Sequence, residues 1–280
     1  MLKLRGSFIA FKNEKEMSTR STLFCLSTLF CLSTLCLTVG GSGTNIVLKR
    51  DNFVSLRDAI DSESAARLVY QLNEINGRTT PVYVYINSPG GDVMAGLEII
   101  TYIKSLQAQN RSVHCIAHEA MSMAFVLFQY CSERYIMAAS TLMQHQMAMS
   151  GIKGKLYDIN SRLAYYNTVE GVLNAYQAER LNMTTDAFVK KIQHDWWLFS
   201  NDILTWHGAD KMVTVSCDFP NSEVNTTVST LFGDVHLVYS ACPIINQPLR
   251  ISFSSVFPEV EKRAWLNNRQ STRTAGILFS

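Results

Sequence analysis

Three observations predict an α/β fold. Short apolar runs of strand length alternate with segments of helical periodicity between about residues 45 and 215. Pro, Gly, Asn and Asp punctuate the junctions. The chain has 280 residues, 47% hydrophobic and 17% charged, enough apolar material for a sizeable core. Alternation of this kind builds layers of helices on sheets.

The elements follow in order. Asn52-Phe-Val-Ser-Leu56 reads as a strand. Ser62 to Ile75 carries apolar residues at helical spacing (Ala65, Leu68, Val69, Leu72), with Asp61 or Ser62 as N-cap. Val82-Tyr-Val-Tyr-Ile86 is a buried strand, broken by Asn87-Ser-Pro-Gly-Gly91. Val93 to Leu106 is helical, Val113 to Ala117 a strand, and Met121 to Tyr130 a helix. Another apolar stretch covers Tyr135–Leu142. Lys155 to Leu181 is a long helical pattern rich in Tyr, Leu and Ala, and a further helix covers about Thr185–Ile192.

The two ends differ from this middle. No charge falls between Ser21 and Leu48; Arg20 precedes the apolar run and small residues from Gly40 to Gly43 follow it. That is the layout of a secretory signal, with an uncleaved anchor or an organelle leader as the other readings. The expected division is a leader over 1–41, a main domain over 42–215 and an extension over 216–280. The extension has short strand-like runs and a polar end, and no assignable role.

Charge and cysteines narrow the function classes. Lys+Arg 25 against Asp+Glu 23 leaves +2 with no basic run, which argues against a nucleic-acid partner. Cys115 and Cys131 sit in apolar stretches and read as buried thiols. Cys217 and Cys242 could pair in an oxidising compartment. No CxxC or Cys/His spacing suggests a metal; His114 and Cys115 are adjacent and point to opposite faces of a strand. Three N-x-S/T triplets occur, at Asn110, Asn182 and Asn225.

Four places carry chemistry. The glycines of Ser88-Pro-Gly-Gly91, after a strand and before a helix, leave backbone N–H groups open to an oxyanion; a plain tight turn is the alternative. Ser122, in Ala-Met-Ser-Met-Ala, lies between a strand and an apolar helix, where helix dipole and amides favour a nucleophile; an N-cap serine is the alternative. His145 ends an apolar stretch and is either a base or a structural histidine, with His114, His118, His194, His207 and His236 as competitors. Asp195 stands beside the apolar wall Trp-Trp-Leu-Phe and is either an orienting acid or a helix cap.

Taken in this order, the motifs resemble the proteolytic subunit of Clp protease from about Asn52 to Val215. Val82–Gly91 resembles its strand and Ser-Pro-Gly-Gly turn, Ala120–Ala124 its nucleophile box, and Leu142–Gln146 its His-Gln box. Gly151–Ile159 is similar to the start of its handle helix, placed here at about 150–182. The resemblance implies a crotonase-like stack of ββα units with a protruding handle. It implies a serine endopeptidase with Ser122 as nucleophile, His145 as base, Asp195 as orienting acid, and the Gly91 and Met123 amides as oxyanion hole. It also implies peptide or unfolded-protein substrates, no cofactor or metal, homo-oligomeric rings, and docking of a Clp-type ATPase. The sequence departs from the family at Asp195, where one extra residue precedes Ser200, and the family's N-terminal axial segment is missing.

Three rival readings use the same residues. An enoyl-CoA hydratase or isomerase would share the fold, but the Ser-Met and His-Gln boxes argue against it. A membrane-associated signal-peptide peptidase would pair Ser122 with Lys153 or Lys155. A catalytically inactive ring subunit would keep the assembly without the chemistry.

Overall fold

The computed structural model describes residues 44–75, 81–149, 153–219 and 222–274. The predicted leader over 1–41 lies outside the described residues, and among these no helix is long and apolar enough to cross a membrane.

The main sheet runs β2 (Phe53–Arg57), β3 (Val82–Ser88), β4 (Val113–Met121), β5 (Glu133–Gln144) and β6 (Trp196–Phe199), with β7 (Lys211–Met212) also on β5. The first four strands are parallel, and β6 returns antiparallel. Their crossovers are α1 (Ser62–Glu74), α2 (Val93–Ala108) and α3 (Met123–Gln129). Parallel strands covered on both faces need apolar residues at every position, which is what Val82–Ile86 supplies. Val82, Val84 and Ile86 face the helices, and Tyr83 and Tyr85 face the other way. On that second face lie β1 (Asn45–Leu48) and β8 (Thr214–Cys217), paired in parallel, which bring Ile46, Leu48 and Val213 against Tyr85 and Ile116.

Local signals explain the helix starts. Asp61 caps α1, its carboxylate accepting from the Ser64 N–H at 2.8 Å while the Ser64 hydroxyl accepts from the Asp61 N–H. Asp92 caps α2 through the Ala95 N–H at 2.8 Å. All seven residues of α3 are buried, which suits an interior helix with no polar face. In β5, the pairing with β4 jumps from Ala117↔Ile136 to Glu119↔Thr141. The buried Ser140 hydroxyl satisfies this bulge, accepting from the Met137 N–H and donating to the Ala117 carbonyl.

Beyond this core rise α4 (Leu156–Arg180), α5 (Thr185–Lys191) and α6 (Asn201–Thr205). At about 1.5 Å per residue α4 is roughly 37 Å long. Only its C-terminal part is buried, at Leu173, Asn174, Gln177 and Ala178, while Leu156, Tyr157, Tyr165 and Val172 are exposed.

The structure departs from the sequence reading in two places. Cys115 and Cys131 form a disulfide instead of remaining free thiols. The parallel crossover is the cause: it returns the chain beside the start of β4, where Ser132 N–H meets the Val113 carbonyl at 2.8 Å and the two cysteine Cα atoms lie 5.8 Å apart. Closing this 16-residue separation stabilises the fold by about 3 kcal/mol in the chain-entropy account. Cys217 and Cys242 are also joined. The extension is ordered as a three-stranded antiparallel sheet, β9 (Glu223–Thr230), β10 (Gly233–Ser240) and β11 (Pro248–Phe253), followed by α7 (Glu259–Thr274). Val235, Leu237 and Phe257 form its own small core.

An ion pair between the buried Arg134 and the partly exposed Asp210 ties α3, α4 and the β5–β7 edge of the main domain together. The Arg134 guanidinium donates to both Asp210 carboxylate oxygens, to Gln129 at the end of α3, and to the Arg180 and His207 carbonyls. Burial by itself raises the Asp210 pKa. Hydrogen bonds and charge from Arg134, helped by Arg180, outweigh it and hold the carboxyl below its ordinary range. A carboxyl depressed on folding stabilises at neutral pH, and that contribution is lost as pH falls through the folded pKa, below about 4. Asp210→Asn leaves Arg134 a buried, half-satisfied cation. Chemical denaturation at pH 7 should show a loss of roughly 3 kcal/mol, with a shallower acid decline than wild type. A variant within experimental error of wild type at pH 7 and throughout the acid decline would mean that the pair organises nothing.

Candidate active site

Strand β4 ends at Met121 and α3 begins at Met123, leaving Ser122 as the single residue of the junction. Its backbone sits at φ 52°, ψ −122°, a conformation costly for a residue with a Cβ. Such a sharp elbow lifts the side chain off the sheet, as strained nucleophile turns do. It is held from beneath by the Ser122 N–H, which donates to the Met143 carbonyl on β5 at 2.8 Å.

Two residues after Met143 comes His145, and its Nε2 lies 2.8 Å from Ser122 Oγ. That is hydrogen-bond reach for proton transfer from hydroxyl to imidazole. The segment carrying His145 is secured on both sides. Gln144 accepts from the His145 N–H and donates to Gln177 of α4 at 2.5 Å. Gln146 N–H reaches the Ile192 carbonyl after α5, and Met147 N–H reaches Glu170 of α4 at 3.0 Å.

The Ser-Pro-Gly-Gly turn packs directly on the elbow. A Cβ on Gly90 would lie 2.5 Å from the Met121 carbonyl oxygen and 2.8 Å from both the Met123 nitrogen and the Ser122 Cβ. With φ at +89°, Gly90 is the residue that lets turn and elbow touch. Its neighbour Gly91 lines the same cavity as Ser122, Met123 and His145. The Ile60 N–H goes to the Gly90 carbonyl and the Asp92 N–H to the Ile60 carbonyl, so this bridge leaves the Gly91 N–H unused. The cavity, about 110 Å³, has an apolar side of Val93, Met123, Val126 and Leu173 and a polar side of Asn174, Gln177 and Glu170.

Of the five sequence-predicted residues, the structure gathers Ser122, His145, Gly91 and Met123 around this cavity. Asp195 is different. The β5–β6 register ends with Gln144↔Trp196, so one further step sets Asp195 opposite His145 along the backbone. Its side chain is exposed, and among the described residues its carboxylate makes no hydrogen bond. The competing histidines lie elsewhere; His114, for example, packs between Tyr83 and Tyr135, and burial lowers its pKa.

Sequence reasoning missed Gly90 as the contact residue, along with the polar stripe Glu170, Asn174 and Gln177 on α4. The i, i+4 and i+7 spacing of that stripe on one helix face was the available signal.

The family model described as Clp protease matches residues 43–215. The chain belongs to the Clp protease family. Among its relatives is the ATP-dependent Clp protease proteolytic subunit of Borrelia garinii subsp. bavariensis, 26% identical over 169 residues, covering 59% of this chain and 86% of that protein. Another is the ATP-dependent Clp protease proteolytic subunit 2 of Synechococcus sp. (strain CC9605), 27% identical over 169 residues, covering 59% of this chain and 85% of that protein. The parallel sheet with its helical crossovers and projecting α4 is the crotonase-like architecture of the Clp family.

The elbow contact yields a sharp expectation. Gly90→Ala must push the turn away from Ser122, since all three close neighbours are backbone or Cβ atoms. Displacement of about 1 Å at a reacting group costs about 100-fold in rate. Labelling of Ser122 by a fluorophosphonate should slow by about that factor, with the far-ultraviolet spectrum unchanged. Undiminished labelling would show that the turn does not set the geometry of the elbow.

Proposed function

We propose that this Clp-family chain is a serine endopeptidase that cleaves peptides or unfolded proteins, with Ser122 as nucleophile and His145 as general base. The observation that carries the reading is the 2.8 Å contact between Ser122 Oγ and His145 Nε2 at a strained strand-to-helix elbow.

The chemistry follows from these atoms. As Ser122 Oγ attacks a peptide carbonyl, its proton passes to His145 Nε2. The negative charge that develops on the carbonyl oxygen is met by the Gly91 and Met123 N–H groups, each stabilising it by about 3–4 kcal/mol. Met123 also opens α3, and the dipole of a short helix adds to the same field. His145 then returns the proton to the leaving amine, and water releases the acyl group from Ser122. Asp195 orients the imidazole through its far nitrogen once its carboxylate turns inward from its position across from His145. The cavity's apolar side favours an apolar side chain next to the scissile bond. The reaction as read here uses no metal or cofactor.

Assembly is part of the proposal. The exposed apolar residues of α4 cover more than one stripe of the helix, and a second copy of the chain is the natural cover. Stacked rings held by this helix would enclose the sites, and a Clp-type ATPase would be the feeding partner. The alternative reading, an inactive ring subunit, draws on the exposed Asp195 carboxylate; a signal-peptide-peptidase-like enzyme draws on the apolar leader.

A kinetic series separates these readings. Ser122→Ala should remove peptide hydrolysis by several orders of magnitude without altering stability. Asp195→Asn should reduce activity far more than Asp186→Asn or Asp202→Asn. Retention of a tenth of wild-type turnover by Ser122→Ala would end the nucleophile assignment, and an inert wild type that resists fluorophosphonate would favour the structural subunit.

Light scattering on protein lacking residues 1–41 tests assembly. The expected result is a ring-sized particle that Leu163→Glu with Tyr166→Glu converts to smaller, less active species. A stable, active monomer at micromolar concentration would contradict the role given to α4.

A further inference from the structure

The three Asn-x-Ser/Thr triplets do not stand in equivalent places. Asn110 and Asn182 both have a left-handed backbone, φ 59° and 55°, immediately after α2 and α4. Asparagine is enriched in that conformation, and it commonly ends helices there. Helix termination therefore accounts for both. Asn225 has no such cause. It lies inside an eight-residue strand, β9, where asparagine is disfavoured.

The register of the extension shows which way Asn225 faces. Val228, Thr226 and Val224 pair with Val235, Leu237 and Tyr239 of β10. Val235 and Leu237 are buried, so this is the inner face of the sheet. Asn225, Thr227 and Ser229 pair with Val238, His236 and Asp234 and make the other face. That face is polar and knit by cross-strand pairs: Thr227 with His236 at 3.1 Å, Ser229 with Asp234 at 2.8 Å, and Glu223 with Arg250 at 2.5 Å. Within it Asn225 is exposed, and among the described residues its side-chain amide makes no hydrogen bond. A broad groove between the extension and the main domain takes in Val224 and the run Thr226–Ser229 from both faces of β9, but not Asn225. Asn225 is exposed and outside that lining, so bulk attached to it displaces no core residue.

A second, independent observation concerns the compartment. Cys217 and Cys242 are joined across the β9–β10 hairpin, so Asn225 lies inside the loop that this disulfide closes, and Cys115–Cys131 adds a second. Disulfides persist in oxidising compartments, where attachment of glycans to Asn-x-Ser/Thr also takes place.

We propose that Asn225 carries an N-linked glycan, on the solvent face of the hairpin that the Cys217–Cys242 disulfide closes. The chemistry requires a lipid-linked oligosaccharyl diphosphate as donor. The Asn225 side-chain nitrogen forms a bond to the anomeric carbon, the bond from that carbon to the diphosphate oxygen breaks, the lipid diphosphate leaves with the electron pair, and the amide gives up one proton. Thr227 supplies the hydroxyl of the acceptor triplet. The modification also serves the fold. β9 is an edge strand of the extension, with unpaired backbone groups on its outer side and Val224 and Val228 partly exposed. A bulky polar chain at its middle blocks pairing with another strand.

The test is made on the full chain expressed in a eukaryotic cell with a secretory pathway. The wild type is treated with peptide N-glycosidase in heavy-oxygen water, digested and sequenced by mass spectrometry. The expected result is Asp with one heavy oxygen at position 225. This measurement does not depend on any variant folding. Asn225→Gln and Thr227→Val should each lose one glycan increment in intact mass, while Thr226→Ala and Thr227→Ser should keep it. Recovery of position 225 as unmodified Asn, or a number of glycan increments that is the same in wild type, Asn225→Gln and Thr227→Val, would overturn the proposal.

Discussion

The rest of the structure depends on where Arg134 puts its charge. A guanidinium has five donors in a fixed plane, and here they reach Asp210, Gln129, and the carbonyls of Arg180 and His207. Each acceptor belongs to a different part of the chain: the end of α3, the end of α4, the loop after α6, and the approach to β7. Ser122 immediately precedes α3, His145 follows the strand in which Arg134 stands second, and α4 lines the cavity. One buried cation thus fixes the end of α3, the start of β5 and the C-terminal end of α4, the three elements that make the site. Removing its partner strands a buried charge, which is why such a pair specifies an arrangement more than it adds net stability.

At the near ends the constraint is steric. The turn Ser88–Gly91 and the Ser122 elbow approach so closely that a single Cβ at position 90 has no room. This contact brings Gly91 and Met123 to the same cavity, while the Ser122 N–H to Met143 bond fixes the elbow to β5. Ser122 and the Gly91 and Met123 amides are therefore positioned by backbone contacts, while the His145 segment is held by the Gln144, Gln177 and Glu170 side chains as well. Preorganisation of this kind is what electrostatic stabilisation of a transition state needs.

Much of this was legible in the residues. Strand–helix alternation, the Asp61 cap and the break at Asn87–Gly91 are local features, and local features appear in sequence. Ser122 and His145 were legible as motifs, though only the fold brings them to 2.8 Å. The Cys115–Cys131 bond was not, because it depends on a crossover returning beside the start of its own strand. Gly90 was read as exposing donors, when its larger part is to let backbone meet backbone. The extension was opaque because β9 is exposed along nearly its whole length and shows no alternation, although register gives it two distinct faces. Asp195 stayed one residue out of step in sequence, and in the structure it lies across from His145 with its carboxylate still turned to solvent.

That last feature connects with α4. The helix grips the His145 segment through Gln177 and Glu170, yet most of its length projects beyond the domain. Any force on the projecting part is carried, through a rigid helix, to the two side chains that hold the base in line. A contact that covers Leu156, Tyr165 and Val172 would also restrict the rocking of α4 about its buried root at Leu173 and Ala178. Site geometry and burial of the apolar arm are then coupled: whatever covers the arm stiffens the base. Ordering the arm removes that freedom, so a contact far from Ser122 and His145 bears on the spacing between them.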